Sequence, residues 1–129
     1  MLSLPLAACL LLAAACGGDG PRGATSLTIV YWEDGSRPDE RVTWSLSCDP
    51  PAGTHPDPAG ACAAVASADR SVFEPVPDDR ACTEIFGGPQ RAEVTGTVDG
   101  REVDALFTRA NGCEIERWDA LAGLLPAAG

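Results

Sequence analysis

CDPPAGTHPDPAGAC, residues 48–62, is a stretch that no strand ladder can absorb. Its prolines, Pro50, Pro51, Pro56 and Pro58, lack the backbone N–H that a ladder needs, and a cysteine closes the stretch at each end. An ordered loop follows. It ends where Asp57 offers a side-chain acceptor for a helix start and Pro58 suits the first helical position. Residues 59–68, rich in alanine, predict a short helix buried through Ala64, Val65 and Ala68. On the other side of the loop, Val42, Trp44, Leu46 and Cys48 alternate with Thr43, Ser45 and Ser47, a period of two that turns one apolar face of a strand to a core. Further upstream, SLTIVYW at residues 26–32 is rich in β-branched and aromatic side chains and reads as a strand. The polar residues 33–40 between the two make a turn, so the pair is antiparallel.

Downstream, residues 69–80 mix Val72 and Phe73 with Pro75, Pro77, Asp78 and Asp79 and predict an irregular approach to Cys82. Two alternating runs, residues 92–98 and 102–109, flank Asp99-Gly100, the strongest hairpin signal in the chain. From Cys113 on, Ile115, Trp118, Ala122 and Leu125 recur at three- and four-residue steps, which predicts a C-terminal helix. Four or five antiparallel strands with two short helices make an α+β arrangement. Trp32, Trp44 and Trp118 are assigned to the core rather than to a ligand platform.

The chain has 129 residues, 19 acidic against 9 basic, for a net charge of −10. Every basic residue is arginine. That balance argues against tracking a phosphate backbone or binding a membrane through a polybasic patch. Residues 1–15, MLSLPLAACLLLAAA, are too short to span a bilayer and occupy the place of a secretory leader. Ala13-Ala14-Ala15-Cys16 followed by GGDGPRG resembles the lipobox of bacterial lipoproteins, with Cys16 as the lipidated residue and residues 16–25 as a linker. The alternative Leu6-Ala7-Ala8-Cys9 leaves too short an apolar region, and plain signal cleavage would discard Cys9 and Cys16 alike. The domain then covers residues 26–129, and any contact with a membrane runs through the lipid on Cys16.

Four cysteines remain, Cys48, Cys62, Cys82 and Cys113, an even number in a chain with an export leader, so two disulfides are expected in one of three connectivities. Structural zinc is disfavoured: there is no C-x-x-C pair, and the only histidine, His55, stands inside the proline-rich loop. The acidic pairs Glu33-Asp34, Asp39-Glu40 and Asp78-Asp79 lack calcium-loop spacing, so no metal and no cofactor is expected. His55 has no G-x-S-x-G elbow to serve, and no nucleophile–base pair is evident. The chain is not read as an enzyme.

With Gly53-Thr54-His55-Pro56 at its centre, the stretch from Cys48 to Cys62 resembles the signature of the Streptomyces-type subtilisin inhibitor family. The resemblance continues through Cys82, through Thr97-Val98-Asp99-Gly100, and through Asn111 two residues before Cys113, covering residues 26–118. It implies a sheet of five antiparallel strands with two helices, disulfides Cys48–Cys62 and Cys82–Cys113, a homodimer, and inhibition of extracellular serine proteases. It further implies that the loop opened by Cys82 is the reactive site. Glu84 then enters the protease pocket, Glu84–Ile85 is the scissile bond, Thr83 and Phe86 are contacts, and Asn111 with Cys113 supports the loop.

The loop departs from that pattern in three ways. Thr83 stands where proline is common, Glu84 where an apolar or basic residue is, and Gly87-Gly88-Pro89 where Asp-Pro is. The two glycines predict a looser loop. The expected partner is an extracellular serine protease, subtilisin-like or glutamate-specific; Glu84 would lose its hydration in an apolar pocket without gaining a partner, which favours a basic pocket such as glutamate-specific proteases have. The other reading is a non-inhibitory surface lipoprotein that keeps the fold as a binding module.

Overall fold

The computed structural model describes residues 24–127; the leader, Cys16 and most of the expected linker lie outside the described residues. Strands β1 (Ser26–Trp32), β2 (Arg41–Ser47), β3 (Arg91–Val98) and β4 (Arg101–Thr108) form one antiparallel sheet in the order β2-β1-β3-β4. The count is the lower of the two read from the sequence. Helix α1 (Pro58–Ser67) follows β2 and helix α2 (Gly112–Ala120) follows β4, and a short 3-10 turn, η1 (Arg70–Phe73), comes after α1 in the stretch expected to be irregular. The molecule is α+β with two disulfides, Cys48–Cys62 and Cys82–Cys113. Closing loops of these lengths stabilises the fold by about 3–4 kcal/mol each on the chain-entropy account.

Register decides which side chains form the core. Leu27, Ile29 and Tyr31 of β1 stand opposite Leu46, Trp44 and Val42 of β2, and opposite Gly96, Val94 and Ala92 of β3. Ala105 and Phe107 of β4 complete this face, which Trp118 of α2 and Ala61 and Val65 of α1 help to cover. Trp44 stacks on Tyr31 at 5.7 Å between ring centroids, and Tyr31 meets Trp118 at 6.2 Å.

Three expectations about burial are corrected. Val42 shares the face of Ile29 but is 47% exposed, because it lies near the start of an edge strand. In α1 the fully buried residues are Ala61 and Val65, while Ala64 and Ala68 are only half-buried. Trp32 is buried, but on the opposite face from Ile29: its indole N–H donates to the Pro38 carbonyl at 3.0 Å, and the Arg91 guanidinium lies over its ring.

The hairpin forms as read, with Asp99 at φ 51° and Gly100 at φ 76°, the two positive values of a type I′ turn. Helix α2 is shorter than its apolar spacing predicts. It stops at Ala120, and the chain turns through Gly123 at φ 105°, where an added Cβ would lie 3.0 Å from the Gly60 carbonyl of α1. Leu121, Leu124 and Leu125 are thereby buried from a turn rather than from a helix. His55 fastens that turn to the proline-rich loop. Its Nδ1 accepts the Asp57 N–H at 3.0 Å, so Nε2 carries the proton and donates to the Leu124 carbonyl at 2.8 Å.

Candidate functional site

Between η1 and β3 the chain passes through residues 81–90 without regular structure. Thr83, Glu84, Ile85 and Phe86 are all exposed, Ile85 at 60% and Phe86 at 71%. Thr83 packs against Gly112, whereas among the described residues the Glu84 side chain makes no hydrogen bond or ion pair, and Ile85 and Phe86 stay outside the core. A partner that buried both apolar ones would gain about 1.5–3 kcal/mol for each.

The exposed residues are fastened on both sides. On the amino side, Cys82 is bonded to Cys113 in the first turn of α2, and the Gly112 N–H donates to the Thr83 carbonyl at 2.9 Å. On the carboxyl side, the Gly87 N–H donates to the Arg109 carbonyl at 2.7 Å, and the Arg109 Nε returns a hydrogen bond to the Gly87 carbonyl at 3.2 Å. The exit is tied as well, since the Gly35 N–H in the turn after β1 donates to the Pro89 carbonyl at 2.7 Å. Glu84, Ile85 and Phe86 therefore form a span whose ends are fixed and whose side chains face water.

Gly87 does not loosen this loop, contrary to the composition argument. A Cβ there would sit 2.7 Å from Ile115 Cδ1 and 3.2 Å from Arg109 Cβ, so the backbone is pressed onto α2 and the end of β4. The residue is glycine because the approach is close.

Asn111 serves α2 directly. Its Oδ1 accepts the Glu114 N–H at 3.0 Å as the helix cap, and the hydrogen bond to the loop backbone comes one residue later, from Gly112. Arg117 ties the approach to the loop: its guanidinium donates to the Val72 carbonyl at 3.0 and 3.2 Å, pairs with Glu114 at 2.9 Å and lies over Phe107. The Arg80–Glu116 pair, at 3.7 Å between exposed side chains, contributes little.

The structure thus brings Cys82, Thr83, Asn111 and Cys113 together beneath Glu84, Ile85 and Phe86. Sequence reasoning missed Arg109, which was read only as the last residue of an alternating run. A signal was available: an arginine follows the last strand directly, two residues before the Asn111 that precedes the loop's cysteine partner. All four described cysteines are in disulfides, which removes them as metal ligands.

A family model described as subtilisin inhibitor-like matches residues 22–111. Subtilisin inhibitor-like protein 8 of Streptomyces virginiae is 38% identical over 97 residues, 71% of this chain and 86% of that protein. Subtilisin inhibitor-like protein 12 of Streptomyces hygroscopicus is 36% identical over 100 residues, 72% of this chain and 86% of its own length. Among solved structures, Streptomyces caespitosus sermetstatin, in complex with Bacillus licheniformis subtilisin, is similar in fold with a TM-score of 0.51 at 22% identity, covering 81% of this chain and 99% of that one. With a family model over residues 22–111 and relatives 36–38% identical over more than two thirds of this chain, the chain belongs to the subtilisin inhibitor-like family.

Proposed function

We propose that this chain inhibits serine proteases outside the cell, with Glu84–Ile85 as the bond presented to the protease. As a member of the subtilisin inhibitor-like family, it is not an enzyme. The observation that carries the reading is the span of Glu84, Ile85 and Phe86, exposed between Thr83 and Gly87, both of which are hydrogen-bonded to the body of the domain. Such a loop docks as a substrate without an ordering cost. Glu84 enters the specificity pocket, Thr83 and Phe86 lie against the walls on either side, and the Cys82–Cys113 bond keeps the two chain segments together if the peptide is cut.

Glu84 is the only charged residue between Cys82 and Pro89, so the target's pocket must answer a carboxylate. A basic lining pairs it, whereas an apolar lining strips its water and returns nothing. The proposed target is a glutamate-specific protease ahead of a subtilisin-like one. Titration against glutamate-specific, subtilisin-like and trypsin-like enzymes tests this. The expected result is tightest inhibition of the first, with slow appearance of a new amino terminus at Ile85. Absence of inhibition across the panel would replace this reading with the non-inhibitory binding module.

The reading includes export by residues 1–15 and anchoring by a lipid on Cys16, with residues 16–25 as linker and 26–129 as the inhibitory domain. Each buried methylene of that lipid contributes about 0.8 kcal/mol. Cys16→Ala should release the protein into the medium, and an unmodified mature terminus beyond Cys16 would refute the anchor. A homodimer, implied by the resemblance, is to be checked by sedimentation of the mature protein.

A further inference from the structure

The two flanks of the exposed span are held by different means. The amino side is held covalently at Cys82, whereas on the carboxyl side the first residue held, Gly87, has both its hydrogen bonds to one residue, Arg109, with the Gly35–Pro89 bond following two residues later. Its carbonyl accepts the Gly87 N–H and its Nε donates to the Gly87 carbonyl, so a single residue grips both polar groups of Gly87. The guanidinium is itself fixed, because Nη1 pairs with Asp119 Oδ1 at 2.8 Å and the group lies over the Trp118 ring, 5.9 Å from its centroid. Arg109 is 9% exposed, and its planar fork serves the Gly87 carbonyl and the Asp119 carboxylate together. Gly87 follows Ile85 by two residues, and Ile85 would carry the new amine of a cut loop.

We propose that Arg109 is the positioning residue for the carboxyl-side half of the loop, keeping the Ile85 amine over the acyl-enzyme so that the bond is remade faster than it is hydrolysed. This rests on the reactive-site reading above. In the step concerned, the Glu84 carbonyl is esterified to the serine of the protease and the Ile85 nitrogen is free. Attack by that nitrogen forms the C–N bond and breaks the ester C–O bond, and the proton lost by the amine returns to the serine oxygen. The rate depends on how closely the amine is held. Ile85 and Phe86 are exposed, so in the free protein Gly87 is the first residue beyond them that the fold holds.

The test uses Arg109→Met, which keeps the chain's length and backbone but loses the fork, and Asp119→Asn, which releases the guanidinium from its partner while leaving Arg109 in place. For each variant the ratio of cut to intact inhibitor at equilibrium with protease is measured, together with the rate at which purified cut protein is resealed, alongside Tm. Arg109→Met should raise the cut fraction and slow resealing by about tenfold, the worth of one charge-assisted hydrogen bond. Asp119→Asn should move both in the same direction by less, and it supplies the test if Arg109→Met does not fold. A fall in Tm with the ratio and the resealing rate unchanged in both variants would reduce Arg109 to a stabilising residue and overturn the proposal. A wild-type chain that no protease cuts between Glu84 and Ile85 would instead overturn the reactive-site reading, and the religation role with it.

Discussion

Two irregular loops of this chain are tied by disulfides, and they use their side chains in opposite ways. In the loop from Cys48 to Cys62 the residue at the centre, His55, turns inward, although its neighbours Asp49 to Thr54 and Pro56 and Asp57 are exposed. His55 is buried with both ring nitrogens bonded, its ring meets Trp44 edge-on at 5.3 Å, and Thr54 pairs with the backbone of Ser45 on the edge of β2. In the loop that Cys82 opens, the backbone is fastened at Thr83 and Gly87 while Glu84, Ile85 and Phe86 are left to solvent. Irregular backbone and a nearby disulfide are common to both. Function follows from where the side chains point: one loop is part of the core's wall and the other is an offered surface.

The strongest way to break this comparison is to open each disulfide in turn. Cys82→Ser with Cys113→Ser should abolish lasting inhibition and turn the chain into a substrate, seen as rapid cleavage at Glu84–Ile85 by mass spectrometry, besides a stability loss of about 3–4 kcal/mol. Cys48→Ser with Cys62→Ser should cost stability of similar size in denaturant titration but leave the folded fraction inhibitory. Equal loss of inhibition from both pairs would show that the two loops are not functionally distinct.

Next in size is the exposed loop's single charge. Glu84→Met should transfer preference from glutamate-specific to subtilisin-like proteases by several kcal/mol of binding free energy, while Tm stays put, because a fully solvated side chain holds nothing in the free protein. The inward loop should respond in the opposite manner. His55→Ala strands the Asp57 N–H and the Leu124 carbonyl, and each orphaned group costs about 1–3 kcal/mol. The expected outcome is a clear fall in Tm with the inhibition constant of the folded protein unchanged.

The smallest effect concerns the turn that holds the loop's exit. The Ser36 hydroxyl and then the Ser36 N–H, both donating to Asp34, hold its carboxyl below the ordinary carboxylate value. A lowered value means that the contribution is present above the unfolded-state pKa and is lost as pH falls through the folded one. Asp34→Ala should therefore give a slightly lower Tm at neutral pH and a flatter acid limb, with Gly35 N–H exchange faster because Gly35 donates to Pro89 from this turn.

Much of this architecture is written locally. The β-branched and aromatic run at residues 26–32, the alternation in residues 92–98, the Asp99-Gly100 turn, and Asp57-Pro58 at the head of α1 each place an element through contacts a few residues apart, and all four features stand where the sequence predicts. Helix α2 begins at its asparagine cap for the same reason, but its end was not legible, because apolar spacing continues to Leu125 while Gly123 turns the chain against α1. The candidate site divides along the same line. Cys82, Thr83 and Glu84 were marked by the resemblance to the inhibitor family, whereas the grip on Gly87 was not.

By itself, then, the amino-acid sequence determined the element order, the hairpin and the cysteines available for pairing, since propensity, capping and alternation act over a few residues. Only the tertiary structure decided that Gly87 is a seat rather than a slack point, that Arg109 reaches across from the end of β4 to hold it, and that His55 joins the proline-rich loop to the carboxyl-terminal turn. Those contacts join residues 22 and 69 positions apart, and their energy exists only once the sheet has brought the partners together.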